Sequence, residues 1–214
     1  MEQNLILLGG FTIFYIWHLA FVAPGNLVDW QIKLLLAMGL LKIDNHRKPA
    51  IQPNSVDVHI AGEFARQRKD GTFETFSADY IVLAPGDFVL GTTEEFFHFP
   101  SNVHGVLQGK SSWARLGLYV ESAGLFDSGF KGEGVIELTN QGVSPLILEA
   151  GKPIAQMIFF RNLPAQNPYG KKAKGSRSNY QGQRGAQQSC LENVIARDAN
   201  KLKASIPAAE AELN

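Results

Sequence analysis

Between residues 56 and 160 the chain is a succession of short apolar runs, each closed within a few residues by a turn signal. Val56, Val58 and Ile60 alternate with Asp57, His59 and Ala61, the period of a strand with one buried face. Residues 81–83 and 88–90 flank the turn Ala84-Pro85-Gly86-Asp87. Residues 135–138, 146–148 and 154–160 continue the pattern, interrupted by Asn140-Gln141-Gly142 and Glu149-Ala150-Gly151. Many short strands separated by turns indicate an all-β sandwich or barrel-like domain. Ahead of them, residues 29–41 carry Trp30, Ile32, Leu34, Leu35, Leu36, Met38, Leu40 and Leu41, which predicts a short buried helix with Asp29 placed to cap it.

A chain of 214 residues is long enough to bury one proper core with appendages. Its formal charge is zero, which argues against nucleic acid as a partner. The charge is uneven, however: residues 151–191 contain no Asp or Glu but hold Lys152, Arg161, Lys171, Lys172, Lys174, Arg177 and Arg184. After Asn162, Pro164, Pro168, Gly170, Gly175, Gly182 and Gly185 punctuate a polar stretch that predicts a mobile basic loop, and residues 189–204 predict a terminal helix before a frayed end. The single cysteine, Cys190, excludes a disulfide framework and a Cys-x-x-Cys metal site, and fits a reducing cytoplasm. None of the five histidines is followed two residues later by Glu, so the signature of a zinc deaminase is absent and no zinc is expected.

Residues 3–28 contain no charged side chain, and the apolar run from 5 to 23 is almost long enough to span a bilayer. Its flanks are Glu2 and Asp29, with no positive residue before Lys33, the wrong balance for a secretory signal or a positive-inside anchor. Gly9, Gly10 and His18 weaken a span further. Residues 1–27 are therefore read as an apolar extension, with membrane contact by residues 5–23 as the alternative. The divisions that follow are a β domain over 28–163, an arm over 164–188, and a helix and tail over 189–214.

Chemistry concentrates in Gly109-Lys110-Ser111-Ser112-Trp113-Ala114-Arg115-Leu116-Gly117-Leu118, followed by Asp127-Ser128-Gly129-Phe130 and Val135-Ile136-Glu137-Leu138. Lys110 and Arg115 supply cationic donors, Ser111 and Ser112 compact hydroxyls, and Gly109 is expected to let a bulky anion approach the backbone. That set suits a nucleotide polyphosphate. A P-loop is excluded, because it needs four residues between its glycines and only three separate Gly105 from Gly109.

These residues stand in an order that resembles the dCTP deaminases, which share a superfamily with the trimeric dUTPases. The likeness runs from about residue 28 to residue 185. It rests on Leu-Val-Asp-Trp-Gln-Ile at 27–32, Gln-Pro-Asn-Ser-Val-Asp-Val at 52–58, Ala-Pro-Gly-Asp-Phe-Val-Leu-Gly at 84–91 and the stretch at 109–118. It continues through Asp-Ser-Gly-Phe-Lys-Gly at 127–132, Ile-Glu-Leu-Thr-Asn at 136–140, Gly-Lys-Pro-Ile-Ala-Gln-Met at 151–157 and Tyr-Gln-Gly-Gln-Arg-Gly at 180–185.

The resemblance implies a mainly β fold of the dUTPase type (β-clip), a distorted barrel or jelly roll with a few short helices. It implies a homotrimer with an active site at each subunit interface, a dCTP substrate carrying Mg2+ on its triphosphate, and deamination at C4 by a water that no metal activates. Such an enzyme supplies dTTP precursors. On this reading Lys110, Ser111, Ser112, Trp113, Ala114 and Arg115 bind substrate, with Lys110, the two serines and Arg115 on the phosphates. Glu137 matches the family's catalytic carboxylate, general base towards water and then general acid towards ammonia. Asp127 would sit by the sugar, Val135 and Ile136 would offer backbone contacts beside the base, and Gln156 would place an amide near the nucleotide. Tyr169 and Gln183 match positions in a closing arm that reach the phosphates.

Two departures matter. Asn179 stands where the deaminases commonly have Lys, with Arg177 or Lys174 as substitutes. The segment Glu121-Ser122-Ala123-Gly124-Leu125-Phe126-Asp127 is one residue shorter than usual and lacks the His-Arg pair of strictly deaminating enzymes. Gly124 followed by an apolar residue is similar instead to bifunctional members, which also release pyrophosphate to give dUMP, so dUTP and dTTP are further nucleotides for the site. Two alternatives stay open: a dUTPase, whose Gly-rich final motif is not present, and a non-catalytic nucleotide-binding regulator on the same fold.

Overall fold

Val56, Val58 and Ile60 face inward, as their alternation predicts, and open a 12-residue strand that runs to Gln67. A computed structural model of the chain describes residues 12–15, 17–18, 22–45, 50–68, 71–121, 124–171 and 179–189. Nearly all of the expected terminal helix, and most of the apolar run from 5 to 23, lie outside them. Among the described residues no helix is long and apolar enough to cross a membrane. The elements in chain order are β1 (Gly25–Asn26), α1 (Asp29–Ala37), β2 (Lys42–Asp44), β3 (Val56–Gln67), β4 (Phe73–Ser77), β5 (Tyr80–Leu83) and β6 (Phe88–His98). There follow β7 (Val103–Gly109), α2 (Ser111–Ala114), β8 (Leu118–Glu121), β9 (Leu125–Phe126), β10 (Lys131–Asn140), β11 (Leu146–Glu149) and β12 (Pro153–Arg161).

Ten of the strands join one antiparallel sheet in the order β8-β10-β6-β3-β12-β7-β9, with β1 on β12, β2 on β6 and β4 on β3, while β5 pairs with β11 alone. Strand β3 curls this sheet. Residues 56–59 pair with β12, whereas Ile60 and the residues from Phe64 to Arg66 pair with β6, with an irregular step between Ile60 and Phe64. A strand that changes partner at a bulge bends the layer around its own core. The curl brings β9 over β6, so that the Phe126 ring lies 6.3 Å from Phe97, 6.4 Å from Phe99 and 5.2 Å from Phe130. Phe64, Phe159, Leu107, Ile136 and Leu138 fill the same interior and are fully buried.

Helix α1 departs from its expected form at both ends. Asp29 is not the cap; it is the first helical residue and pairs with Lys33 at 2.8 Å. The side chain of Gln31 reaches back instead and accepts the Val28 N–H at 3.0 Å, satisfying one of the donors that a helix start leaves open. The helix stops at Ala37, short of Leu41, because Gly39 takes a left-handed φ of 68° and the N–H groups of Leu40 and Leu41 both return to the Leu35 carbonyl.

The turn signal at Asn140 proves to be a buried staple. Its side-chain amide donates to the carbonyls of Leu83 (2.8 Å) and Ser144 (2.9 Å), and its oxygen accepts from Gly142 N–H at 2.9 Å. One fully buried residue thus ties β10 to the β5 end and to the following turn. Asn140→Ala should therefore cost about 2–4 kcal/mol, since it strands buried polar groups as well as losing three hydrogen bonds. A urea unfolding curve reads that loss directly, and a midpoint equal to that of the parent chain would contradict it.

The alternation over residues 56–61 of β3 has one exception. His59, expected on the wet face, is buried, and so is Glu95 of β6. His59 Nδ1 lies 2.7 Å from Glu95 Oε1, and its backbone N–H donates to Oε2 at 3.0 Å. Burial pushes the Glu95 carboxyl above its ordinary range, against the opposing pull of the bonds from His59. The sign follows from proton binding: a carboxyl raised in the folded state contributes stability that is complete below its unfolded pKa and is lost as pH rises through the folded one. Stability should fall as pH rises above the normal glutamate range, about 4.3. Glu95→Gln, which keeps the shape, should flatten that fall in unfolding curves taken at several pH values. An unchanged slope would acquit Glu95.

Candidate active site

Along β10 the even-numbered residues from Gly132 to Asn140 point into the core, and Glu133, Val135, Glu137 and Thr139 point the other way. On that outer face Glu137 stands opposite Leu90 of β6. Ala65 and Leu90, with Phe73, Phe88 and Val135 packed beside them, form a small apolar floor, and Ala186 of the returning arm is buried against it. The arm does not close flat. It leaves a cavity of about 380 Å³ whose lining includes Leu90, Phe126, Asp127, Val135, Glu137, Tyr169 and Gln183. Gly124 and Leu125 also line it, as do Tyr180 and residues 187–189.

Five of the residues singled out from sequence therefore meet around one cavity: Asp127, Val135, Glu137, Tyr169 and Gln183. Glu137 is half-buried and its Oε2 is shielded from solvent, so a carboxylate sits in a partly dry, largely apolar wall. Asp127 is exposed at the rim, and its carbonyl accepts Phe130 N–H to close the turn after β9. The hydroxyl of Tyr169 accepts Tyr180 N–H at 3.1 Å, and its ring lies 5.8 Å from that of Phe130. Gln183 donates its amide to the Glu133 carbonyl at 2.6 Å. Ile136 is fully buried with its side chain in the core, leaving only its backbone to face the site.

The remaining residues form a second group that does not line the cavity. Lys110 Nζ lies 2.7 Å from Asp57 Oδ1, and Gln156 Nε2 donates to the same oxygen at 3.2 Å. Gln52 Nε2 holds the other oxygen at 3.2 Å. Trp113 is anchored by its indole N–H to the Pro153 carbonyl at 2.9 Å, while Ser111, Ser112, Ala114 and Arg115 are exposed on the single turn of α2. The expected reason for Gly109 is corrected here. A Cβ at that position would lie 2.9 Å from Cβ of Val120, so the glycine serves the close packing of β7 on β8 rather than the approach of an anion. Val120 pairs with Leu138, which faces inward. The Lys110 group thus approaches the inner side of β8 and β10, and Glu137 looks out from the other.

Asp57 and Gln52 were missed as members of this group. The signal was present in part, since Asp57 occupies an outward position of the β3 alternation. What was missing is the register that sets it opposite Gln156 of β12. Among the described residues no three His, Cys, Asp or Glu side chains come together as a metal-holding group.

The family model for dCTP deaminase-like domains matches residues 26–162. The chain belongs to that family. Among its curated relatives are enzymes named dCTP deaminase, dUMP-forming, from Methanoregula boonei and Beutenbergia cavernae. The first is 35% identical over 161 residues, covering 69% of this chain and 88% of the relative. The second is 39% identical over 176 residues, covering 74% and 91%. In fold, this dCTP deaminase-like chain is similar to the crystal structure of a 2'-deoxycytidine 5'-triphosphate deaminase from Agrobacterium tumefaciens. The TM-score is 0.57 and the identity 20% over 65% of this chain and 48% of that one, so it spans about half of that longer protein. The mainly β, curled architecture is thus that of this dCTP deaminase.

Proposed function

We propose that this chain deaminates dCTP to dUTP and ammonia and carries the product on to dUMP and pyrophosphate. The observation that carries this reading is the Glu137 carboxylate, half-buried in the wall of a cavity large enough for a nucleoside and roofed by the arm. Relatives named dCTP deaminase, dUMP-forming support the same conclusion.

In the deamination, Glu137 takes a proton from water as the water oxygen bonds to C4, and that proton passes to N3 of the base. The new hydroxyl then gives up its proton, through Glu137, to the amino group. The C4–N4 bond breaks, ammonia leaves, and C4 keeps the oxygen as a carbonyl. Val135 and Ile136 offer backbone groups to the base, and Asp127 at the rim meets the sugar. Lys110, Ser111, Ser112 and Arg115 hold the triphosphate, with Asp57 orienting Lys110 and Gln156. Since that group does not line the cavity holding Glu137, each site is completed by a neighbouring subunit of a homotrimer. Mg2+ would neutralise phosphate charge. The hard oxygen donors of a triphosphate held by Lys110, Ser111, Ser112 and Arg115 suit such an ion.

The deciding experiment incubates the purified chain with dCTP and Mg2+ and separates the nucleotides by chromatography. Appearance of dUMP and pyrophosphate is the expected result. Accumulation of dUTP alone would remove the second step, and untouched dCTP with hydrolysis of added dUTP would make the chain a dUTPase. Binding without turnover of either would make it a nucleotide-binding regulator.

A further inference from the structure

The arm is held by a residue that the chemistry above does not use. Glu133 lies on the same face of β10 as Glu137, four residues earlier, and every polar group it has is turned to three consecutive arm residues. Its N–H donates to the Gln183 carbonyl at 3.1 Å, and its own carbonyl accepts the Gln183 amide at 2.6 Å. One carboxylate oxygen accepts Gly185 N–H at 2.8 Å, and the other faces Arg184 Nη1 at 3.2 Å. The next arm residue, Ala186, donates its N–H to Glu63 of β3 at 3.2 Å. Two adjacent backbone donors thus find two carboxylates from different strands. Gly185 makes this possible with a left-handed φ of 70°, and a Cβ there would collide with the Glu63 carboxylate.

Of these contacts the bond from Gly185 N–H dominates. The Glu133 side chain is only 16% exposed, but Arg184 is 72% exposed, so the ion pair is screened by water whereas the N–H bond joins a shielded charge. Arg184 also lies over the Phe96 ring, 4.6 Å from its centre. Beneath the arm, Glu63, Glu94 and Glu133 line one open cavity, and lifting the arm would leave two of these carboxylates without the N–H groups that offset their repulsion.

We propose that Glu133, seconded by Glu63, is the positioning residue that fixes the arm over the cavity, so that substrate affinity rather than the chemical step depends on it. The effect on affinity rests on the cavity being the nucleotide site; the docking of the arm does not. Gln183 sits inside the latch, and Tyr180 and residues 187–189 flank it, so the latch places the arm's share of the cavity wall opposite Glu137.

The test uses the full chain carrying Glu133→Ala or Glu133→Gln, with dCTP kinetics and, separately, limited trypsin digestion without nucleotide. Trypsin has targets at Lys171, Lys172, Lys174, Arg177 and Arg184. For Glu133→Ala, KM should rise about tenfold with kcat held within about twofold, the loss expected for one charge-assisted hydrogen bond in binding. Cleavage within the arm should quicken by at least about fivefold while the thermal midpoint holds, because only local opening changes. Glu133→Gln, which keeps an acceptor without its charge, should fall between the two. Gly185→Ala, altered on the arm side, should reproduce the pattern should Glu133→Ala fail to fold. Unchanged KM and unchanged cleavage would overturn the latch, and so would a loss of kcat and thermal midpoint together. If the parent chain does not turn over dCTP, the digestion alone decides the latch, and the failure belongs to the proposed activity.

Discussion

Glu137→Gln should abolish the proposed deamination and leave nucleotide binding in place. The amide has nearly the shape of the carboxylate but can neither take a proton from water nor return one to the leaving amine. Removal of a general base alone is worth about 10²–10⁴ in rate, and in the proposed mechanism the same group serves both proton transfers, so a loss of at least about 10³ in kcat is expected. Binding should survive because the substitution removes a negative charge from the wall of a site for a polyanion. Product chromatography reads the first effect and titration calorimetry with dCTP the second. Turnover within tenfold of the parent chain would move the base elsewhere, and Asp127, at the rim of the same cavity, would be the next group to replace.

Mixing two dead variants should restore activity. On the proposed mechanism Glu137→Gln lacks the base and Arg115→Ala lacks a phosphate donor, and each should be nearly inactive by itself. If a site takes Glu137 from one subunit and Arg115 from its neighbour, subunits exchanged at random in equal amounts rebuild about a quarter of the sites with both groups intact. The physical ground is the separation seen within one chain. The Lys110 group packs through Gly109 on the inner side of β8, and Glu137 points outward from β10. The measurement is dCTP turnover after co-refolding the two variants, against each refolded alone. No recovery in a mixture shown to contain mixed oligomers would place the whole site within one chain.

Much of this was legible from residues alone. The alternation at 56–60 located the inward row of β3, and the runs at 135–138, 146–148 and 154–160 all became strands. Glu137 was singled out through its motif with Val135, Ile136 and Leu138, and the structure places it in the wall of the cavity. Other features were written in the sequence but carried the wrong meaning by themselves. Gly109 looked like room for an anion and is room for Val120. Asp29 looked like a helix cap, a task performed by Gln31. His59 looked like a wet strand residue and is half of a buried pair with Glu95. In each case a local rule was correct about residue type, and a neighbour from elsewhere in the chain determined the use.

What the sequence by itself determined is the family and the main strands of the β body. Periodicity records which side of each strand is dry, and the order of motifs identifies a dCTP deaminase-like chain. Only the tertiary structure decided who meets whom. Asp57 joins Lys110 and Gln156 through the register of β3 against β12, and Glu133 becomes a latch because the arm returns across about fifty residues to lie along β10. Those contacts depend on the curl of the sheet and the path of the returning chain, which are set by the packing of the whole core and leave no mark in any short stretch of residues.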